Sequence, residues 1–341
     1  MTLLSSLTGD PEIEALLSDA AQLDAMLAVE RALAEAEAQA GLIGEEAAAA
    51  VAAAIDGFGP DWDGLRAGMA RDGVVVPALV GQLRALVAEP HKQALHFGAT
   101  SQDVVDTALV LQLAKAIAVF EARITGLQRA LGALGDTHGD KPLMAHTRMQ
   151  VALPSTVAEK IRTWSEPLGR HLQGLALARR TLLAVQLGGP VGDRSSFGGK
   201  GDLIAKYLAQ KLDLGLAPSW HSGRDPIVAF GSLLSLISGS LGKIGADVAL
   251  LAQNEVGAIT LSGGGGSSAM AHKSNPVKAE VLVSLARLNA GLAGALHQAL
   301  VHENERSGAA WTLEWLVLPQ MLAATGAGLR LAGEMLGQME F

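Results

Sequence analysis

Residues 263–276 read GGGGSSAMAHKSNP, set between two long apolar runs, one opening at Asp225 and Pro226 and the other at Val277. Four consecutive glycines give a backbone that can move and can lie against a ligand without steric cost. Ser267 and Ser268 follow, then Met270, His272, Lys273 and Asn275, and Pro276 stops the loop from running straight on as helix. A mobile loop that gathers hydroxyl, ammonium and amide groups suits an anionic substrate that must be enclosed before it reacts. The competing reading is a flexible Gly/Ser linker, but linkers seldom end in a compact polar cluster between long apolar helices. The loop interrupts a helical bundle, and the fold reads as all-α.

Helical periodicity extends outward from the loop on both sides. Upstream it predicts a very long helix from Asp225 to about Ile259; downstream it resumes from Val277 to His302, and a last helix begins near Arg306. Nearer the N-terminus a pattern opens at Pro11, carries Leu16, Leu23, Met26 and Leu27 at helical spacing, and ends at Gly41 and Gly44. Ala47–Ile55, Pro77–Val87, Val104–His138 and Ser155–Leu187 read as further helices, and another follows the glycines at 198–201. Ser101 or Asp103 is placed to cap the helix at 104. Residues 139–154 (GDKPLMAHTRMQVALP) are polar and proline-bounded, so they read as an extended or irregular connection. Helices this long, without charged heptad positions, belong to a bundle rather than a lone coiled coil. Gly231, Gly239, Gly242 and Gly245 would let neighbouring helices approach closely.

Composition sets the frame. The chain has 341 residues, 49% hydrophobic but only 4% aromatic with a single tyrosine, so its core rests on Ala, Leu and Val. Ala and Leu are the best helix formers. A formal charge of -8 argues against duplex nucleic acid and against a polybasic membrane anchor. There is no cysteine, hence no disulfide framework and no thiolate metal site. No secretory signal pattern precedes Pro11, and no apolar run reaches the roughly 18 residues of a membrane span. These features lead to the expectation of a soluble, cytoplasmic protein.

Three further segments carry chemistry. HFGATSQDVVDTA (96–108) places Thr100, Ser101 and Gln102 at the start of a long helix, where free N–H groups and the dipole favour an anion. An ordinary hydroxyl cap is the alternative. HTRMQVALP (146–154) offers His146, Arg148 and Gln150 on alternate residues, which in one extended strand would point the same way; otherwise it is a solvated loop. HENERSGAAWTLEW (302–315) would set Glu303, Arg306 and Ala310 on one helical side with Trp311, Glu314 and Trp315 a turn on. By itself this is a surface ion network with aromatic packing.

Together these segments resemble the signature regions of the fumarase/aspartase superfamily of lyases. The matches are TSQDVVDTA, the Gln150–Ala152–Pro154 pattern, and GSSAMAHKSNPVKAE at 266–280, in the family's order over nearly the whole chain. Within the superfamily, GATSQDVVDTALVLQL and ERSGAAWTLEW are most similar to the lactone-forming branch, the 3-carboxy-cis,cis-muconate cycloisomerases of protocatechuate (β-ketoadipate) catabolism. Adenylosuccinate lyase, or another fumarate-releasing lyase, is the alternative, and a non-catalytic lyase scaffold a third. The resemblance implies an elongated long-helix bundle in a homotetramer whose active sites draw on several subunits. It implies an N-terminal helical domain over 1–103 and a central bundle over 104–341, lacking most of the family's small C-terminal helical domain. It implies a small polycarboxylate substrate and no cofactor; no histidine pattern suggests a metal.

Carried over by position, the resemblance makes Ser267 the carbon acid or base, with Lys273 and Asn275 holding carboxylates. Thr100, Ser101 and Gln102 bind substrate, together with Gln150, Ser268, Met270 and Arg306. Glu280 matches the acid that elsewhere orients a catalytic histidine. The chain departs from the family where that histidine should stand: Arg148 occupies the place, and His146 lies two residues earlier. Arginine is no proton carrier near neutral pH. A lactonising enzyme needs none there, because the attacking carboxylate is already ionised and a bidentate arginine holds carboxylates well. Ala271 and Ser274 replace the family's usual proline and arginine, a lost cation that Arg306, His272 or His96 would supply. RDG at 71–73 lacks the histidine of adenylosuccinate lyases.

Overall fold

The computed structural model describes residues 3–266, 269–270 and 273–341. Ser267, Ser268, Ala271 and His272 lie outside the described residues.

Five long helices form the body: α7 (Ser101–His138), α8 (Val157–Leu182), α10 (Asp225–Leu251), α11 (Val277–Gln298) and α12 (Gly308–Leu336). α10 is central, packed against α8, α11 and α12, while α7 packs on α8 and α12. Their shared core is aliphatic, including Leu113, Leu168, Ile237, Leu241, Leu282, Met321 and Leu322. Three of the expected small-residue contacts are present. A Cβ at Gly242 would meet that of Ala286 at 2.6 Å, one at Gly245 the Ala279 carbonyl at 2.5 Å, and one at Gly231 a Leu296 methyl at 2.2 Å. Gly239 is different, with nothing within 4 Å.

The N-terminal part is built of α1 (Ser5–Thr8), α2 (Pro11–Leu16), α3 (Asp19–Gln39), α4 (Glu45–Asp56), α5 (Trp62–Asp72) and α6 (Val76–Leu86). The single helix expected from Pro11 to Ala40 is broken at Leu17. The Ser18 hydroxyl accepts the Ala21 N–H at 3.2 Å and starts a new helix there. A second core of Leu23, Met26, Val51, Leu79 and Leu83 extends to Val104, Val105 and Trp311 of the long helices. α9 (Gly201–Leu212) closes a third cluster against α3. The long helices α8, α10 and α11 stop short of their expected ends, at Leu182, Leu251 and Gln298, and α12 starts only at Gly308.

The connection at 139–154 is a hairpin. β1 (Pro142–Thr147) pairs antiparallel with β2 (Gln150–Thr156), with an irregularity between Met144 and His146. A smaller pair, β3 (Thr260–Leu261) and β4 (Met339–Glu340), joins the segment after α10 to that after α12. By length and composition alone, α10 and α11 each hold a window apolar enough to cross a membrane, of which 56% and 33% is buried in the fold. Both windows depart from the expectation that no apolar run is that long, because Lys243 and Arg287 stand among mostly apolar and small residues.

Candidate active site

The first signature region sits where α7 begins. Thr100 is the N-cap residue, correcting the assignment of that role to Ser101 or Asp103, and the Asp103 carboxylate accepts the Thr100 N–H at 2.9 Å. Asp103 does more than cap. It also accepts the N–H groups of Gly188 (2.7 Å) and Gly189 (2.9 Å) and meets His221 Nε2 at 2.9 Å. One buried carboxylate thereby ties the start of α7 to two distant loops. Gln102 is wholly buried; its amide N–H groups go to Asp106 and to the His221 carbonyl, and its oxygen accepts Arg306 Nε at 2.9 Å. Arg306 also donates to the Pro190 carbonyl at 3.4 Å, and its Nη1 has no partner among the described residues. Ser101 and Thr100 are half-buried beside it.

Residues 302–307 are not helical, so Glu303, Arg306 and Ala310 do not share a helix face; Ser307 caps α12 by accepting the Ala310 N–H at 3.1 Å. Trp311 and Glu314 turn inward instead. Glu314 and Asp106 both grip Arg224, which burial works against but the two facing carboxylates hold above its ordinary pKa. Burial in turn pushes Glu314 above the usual carboxylate range despite the pull of Arg224. His302 lies 3.7 Å from Glu314; burial first, then the Arg224 charge, holds its pKa down. His96 meets the buried Glu30 at 2.6 Å, and Glu30 outweighs the effect of burial to raise its pKa.

The second region does not form the expected strip. Arg148 and Met149 both have positive φ, 49° and 63°, the signature of a two-residue hairpin turn. Thr147 pairs with Gln150, and His146 with Val151. Side chains of paired residues share a face and neighbours alternate, so His146 and Gln150 lie on opposite faces with Arg148 at the tip. His146 Nδ1 meets the Met144 carbonyl at 3.1 Å, and Gln150 donates to the Met149 carbonyl at 3.1 Å. The tip is apolar and exposed, with Met149 77%, Leu153 73% and Val151 66% accessible.

The glycine loop is closed at its neck by paired backbone bonds of 2.8 Å between Gly265 and Asn275. Two of its glycines sit in crowded places: a Cβ at Gly264 would meet Ser274 Oγ at 1.8 Å, and one at Gly263 the Gln338 amide at 2.2 Å, whereas at Gly266 nothing lies within 4 Å among the described residues. Met270, Lys273, Asn275 and Glu280 line an open hollow with Gln253 and Thr260. Lys273 is exposed, and Glu280 is exposed in the first turn of α11.

Among the described residues, the first region and the glycine loop lie apart within one chain. The first surrounds Arg224, just before α10, whereas the hollow under the loop includes Leu250 and Gln253 at the other end. Twenty-seven helical residues separate those ends by about 40 Å. The hairpin base lies on the loop side, where Lys141 donates to the Phe341 carbonyl at 2.6 Å. Sequence reading missed Asp106, His221 and Arg224. A lone arginine opening a very apolar helix, and an acid three residues after Asp103, were the available signals.

The lyase family matches residues 10–289. The chain is 35% identical to 3-carboxy-cis,cis-muconate cycloisomerase of Acinetobacter baylyi, over 99% of this chain and 77% of that protein. It is 39% identical to the Pseudomonas putida cycloisomerase over 94% of this chain and 78% of that one. The crystal structure of 3-carboxy-cis,cis-muconate lactonizing enzyme from Pseudomonas putida superposes with a TM-score of 0.92 at 38% identity, covering 99% of this chain and 77% of that one.

Proposed function

This chain belongs to the lyase family, and from that membership we propose that it is a cycloisomerase closing 3-carboxy-cis,cis-muconate to 4-carboxymuconolactone. The observation that carries the reading is the likeness to cycloisomerases along nearly the whole chain. In the proposed step a carboxylate oxygen of the substrate attacks a carbon of its own conjugated diene. The C–O bond forms, the double-bond electrons move to the neighbouring carbon as an aci-carboxylate, and that carbon takes a proton. No electron is gained or lost overall. Three ionised carboxylates become two and an ester, so each turnover takes up one proton.

Ser267 is assigned as the carbon acid, and the alkoxide left behind requires a water-excluding loop and the Lys273 charge. Arg148, Arg306, Lys273 and Asn275 hold carboxylates, with Thr100, Ser101, Gln150, Ser268 and Met270 around the chain of the substrate. His146, on the hairpin, and Glu280 complete the assigned set. The length of α10 between the first region and the loop supports sites assembled from several copies, and the exposed apolar hairpin tip supports a homotetramer. The substrate is an intermediate of aromatic-acid breakdown, and the assigned compartment is the cytoplasm. Loss of diene absorbance on incubation with 3-carboxy-cis,cis-muconate, with adenylosuccinate in parallel, tests the reading. Turnover of adenylosuccinate alone overturns it.

A further inference from the structure

Beneath Gln102 lies a buried cluster of charge outside the set of residues assigned to the reaction. Arg224 is buried to 1% exposure, although it carries a guanidinium. It donates Nη1 and Nη2 to Asp106 at 2.6 and 3.1 Å, and Nε and Nη2 to Glu314 at 2.8 and 2.5 Å. Its Cζ lies over the Trp220 ring, 4.8 Å from the ring centre. Trp311 Nε1 adds a third donor to Asp106 at 3.0 Å. Both carboxylates are therefore fixed in place, and Asp106 in particular presents Oδ2 to a polar group above it.

That group is Gln102, whose Nε2 donates to Asp106 Oδ2 at 3.1 Å and to the His221 carbonyl at 2.9 Å. A carboxylate and a carbonyl are acceptors only, so the amide cannot turn over without setting oxygen against oxygen. Its own oxygen must face the other way, and there it accepts Arg306 Nε at 2.9 Å. Held through Nε, with Nη2 also donating to the Pro190 carbonyl at 3.4 Å, the guanidinium turns its Nη1 side outward for a carboxylate. Burying three charges is a poor way to stabilise a fold, since apolar replacements usually do as well. What the cage supplies is a direction.

We propose that Arg224, clamped between Asp106 and Glu314, is the positioning residue that aims Arg306 at a substrate carboxylate, acting through the amide of Gln102. The inference rests on the function proposed above, in which Arg306 holds that carboxylate.

A double-mutant cycle between Glu314→Gln and Gln102→Leu tests it. Glu314→Gln loosens Arg224 without touching Gln102, and Gln102→Leu cuts the relay. Each raises KM about tenfold with kcat nearly unchanged, as expected when ground-state and transition-state binding are lost together. The double variant shows no more than the larger single effect. The same cycle is read as Kd for propane-1,2,3-tricarboxylate by calorimetry, which needs no turnover. A wild-type protein that binds the tricarboxylate but does not lactonise 3-carboxymuconate condemns the functional reading, while the Kd cycle still decides the positioning. Effects that multiply in the double variant, or a folded Glu314→Gln with unchanged KM and Kd, overturn the proposal. So does a wild-type protein that neither turns over 3-carboxymuconate nor binds the tricarboxylate. Should Glu314→Gln fail to fold, Trp311→Phe takes its place: it removes one donor to Asp106, and its smaller rise in KM or Kd must likewise vanish in the Gln102→Leu background.

Discussion

Glu37 lies two helical turns beyond Glu30 on α3, and both carboxyls are buried. Glu30 has His96, but neither oxygen of Glu37 has a hydrogen-bond partner among the described residues. Burial, with the Glu30 charge adding to it, pushes Glu37 up to about 9 from an ordinary value of 4.5. Between those two pH values the folded chain keeps a proton that the unfolded chain gives up, so stability declines as pH rises through the window. At pH 7 the cost is on the order of 3 kcal/mol. Glu37→Gln should match the wild type in urea melts near pH 4.5 and exceed it increasingly towards pH 8. Parallel pH profiles for the two proteins would refute this.

Gly245 and Gly239 occupy the same helix and should respond oppositely to alanine. At Gly245 the added methyl would press on the Ala279 carbonyl and, at 2.9 Å, on Leu282 Cβ, forcing α10 and α11 apart. Overpacking of this kind costs about 1–3 kcal/mol. At Gly239 the space is open, and alanine should gain up to roughly 1 kcal/mol of helix propensity. Urea midpoints of the two variants decide it.

The hairpin tip offers a separation of stability from activity. Arg148 and Met149 adopt positive φ, which Asn and Gly accept more readily. Replacing the pair, Arg148→Asn with Met149→Gly, should leave the melting temperature unchanged or higher. It should also lower kcat/KM on 3-carboxymuconate by at least about tenfold, the loss of one charge-assisted carboxylate contact. Retention of full activity would remove Arg148 from the site.

Ser267→Ala should lower kcat by about 100- to 10,000-fold, the range of a lost general acid. Proton uptake recorded in weakly buffered solution should equal the lactone formed, mole for mole, in the wild type. Uptake that does not track lactone would mean a different reaction.

Much of the bundle was legible because apolar residues recur at helical spacing along helices of 22 to 38 residues, which few other structures tolerate. The break at Ser18 was not, since the apolar pattern runs on across it and only a side-chain cap marks the new start. α5 escaped because Trp62–Asp72 holds two glycines and few apolar residues. The hairpin at 142–156 was hidden by a turn made of Arg and Met, residues that rarely announce one. Most polar groups of the three regions could be named from local sequence, Asp106 excepted. The cage around Arg224 could not, because its partners stand 118 and 90 residues away.

The span of α10 bears on genetics as well as on structure. If Arg306 and Lys273 serve one reaction from opposite ends of a rigid helix some 40 Å long, then two chains must lend them. Arg306→Ala and Lys273→Met variants, each inactive alone, should then regain activity when unfolded together and renatured as a mixture. A fraction of the reconstituted pockets would draw one sound residue from each crippled parent.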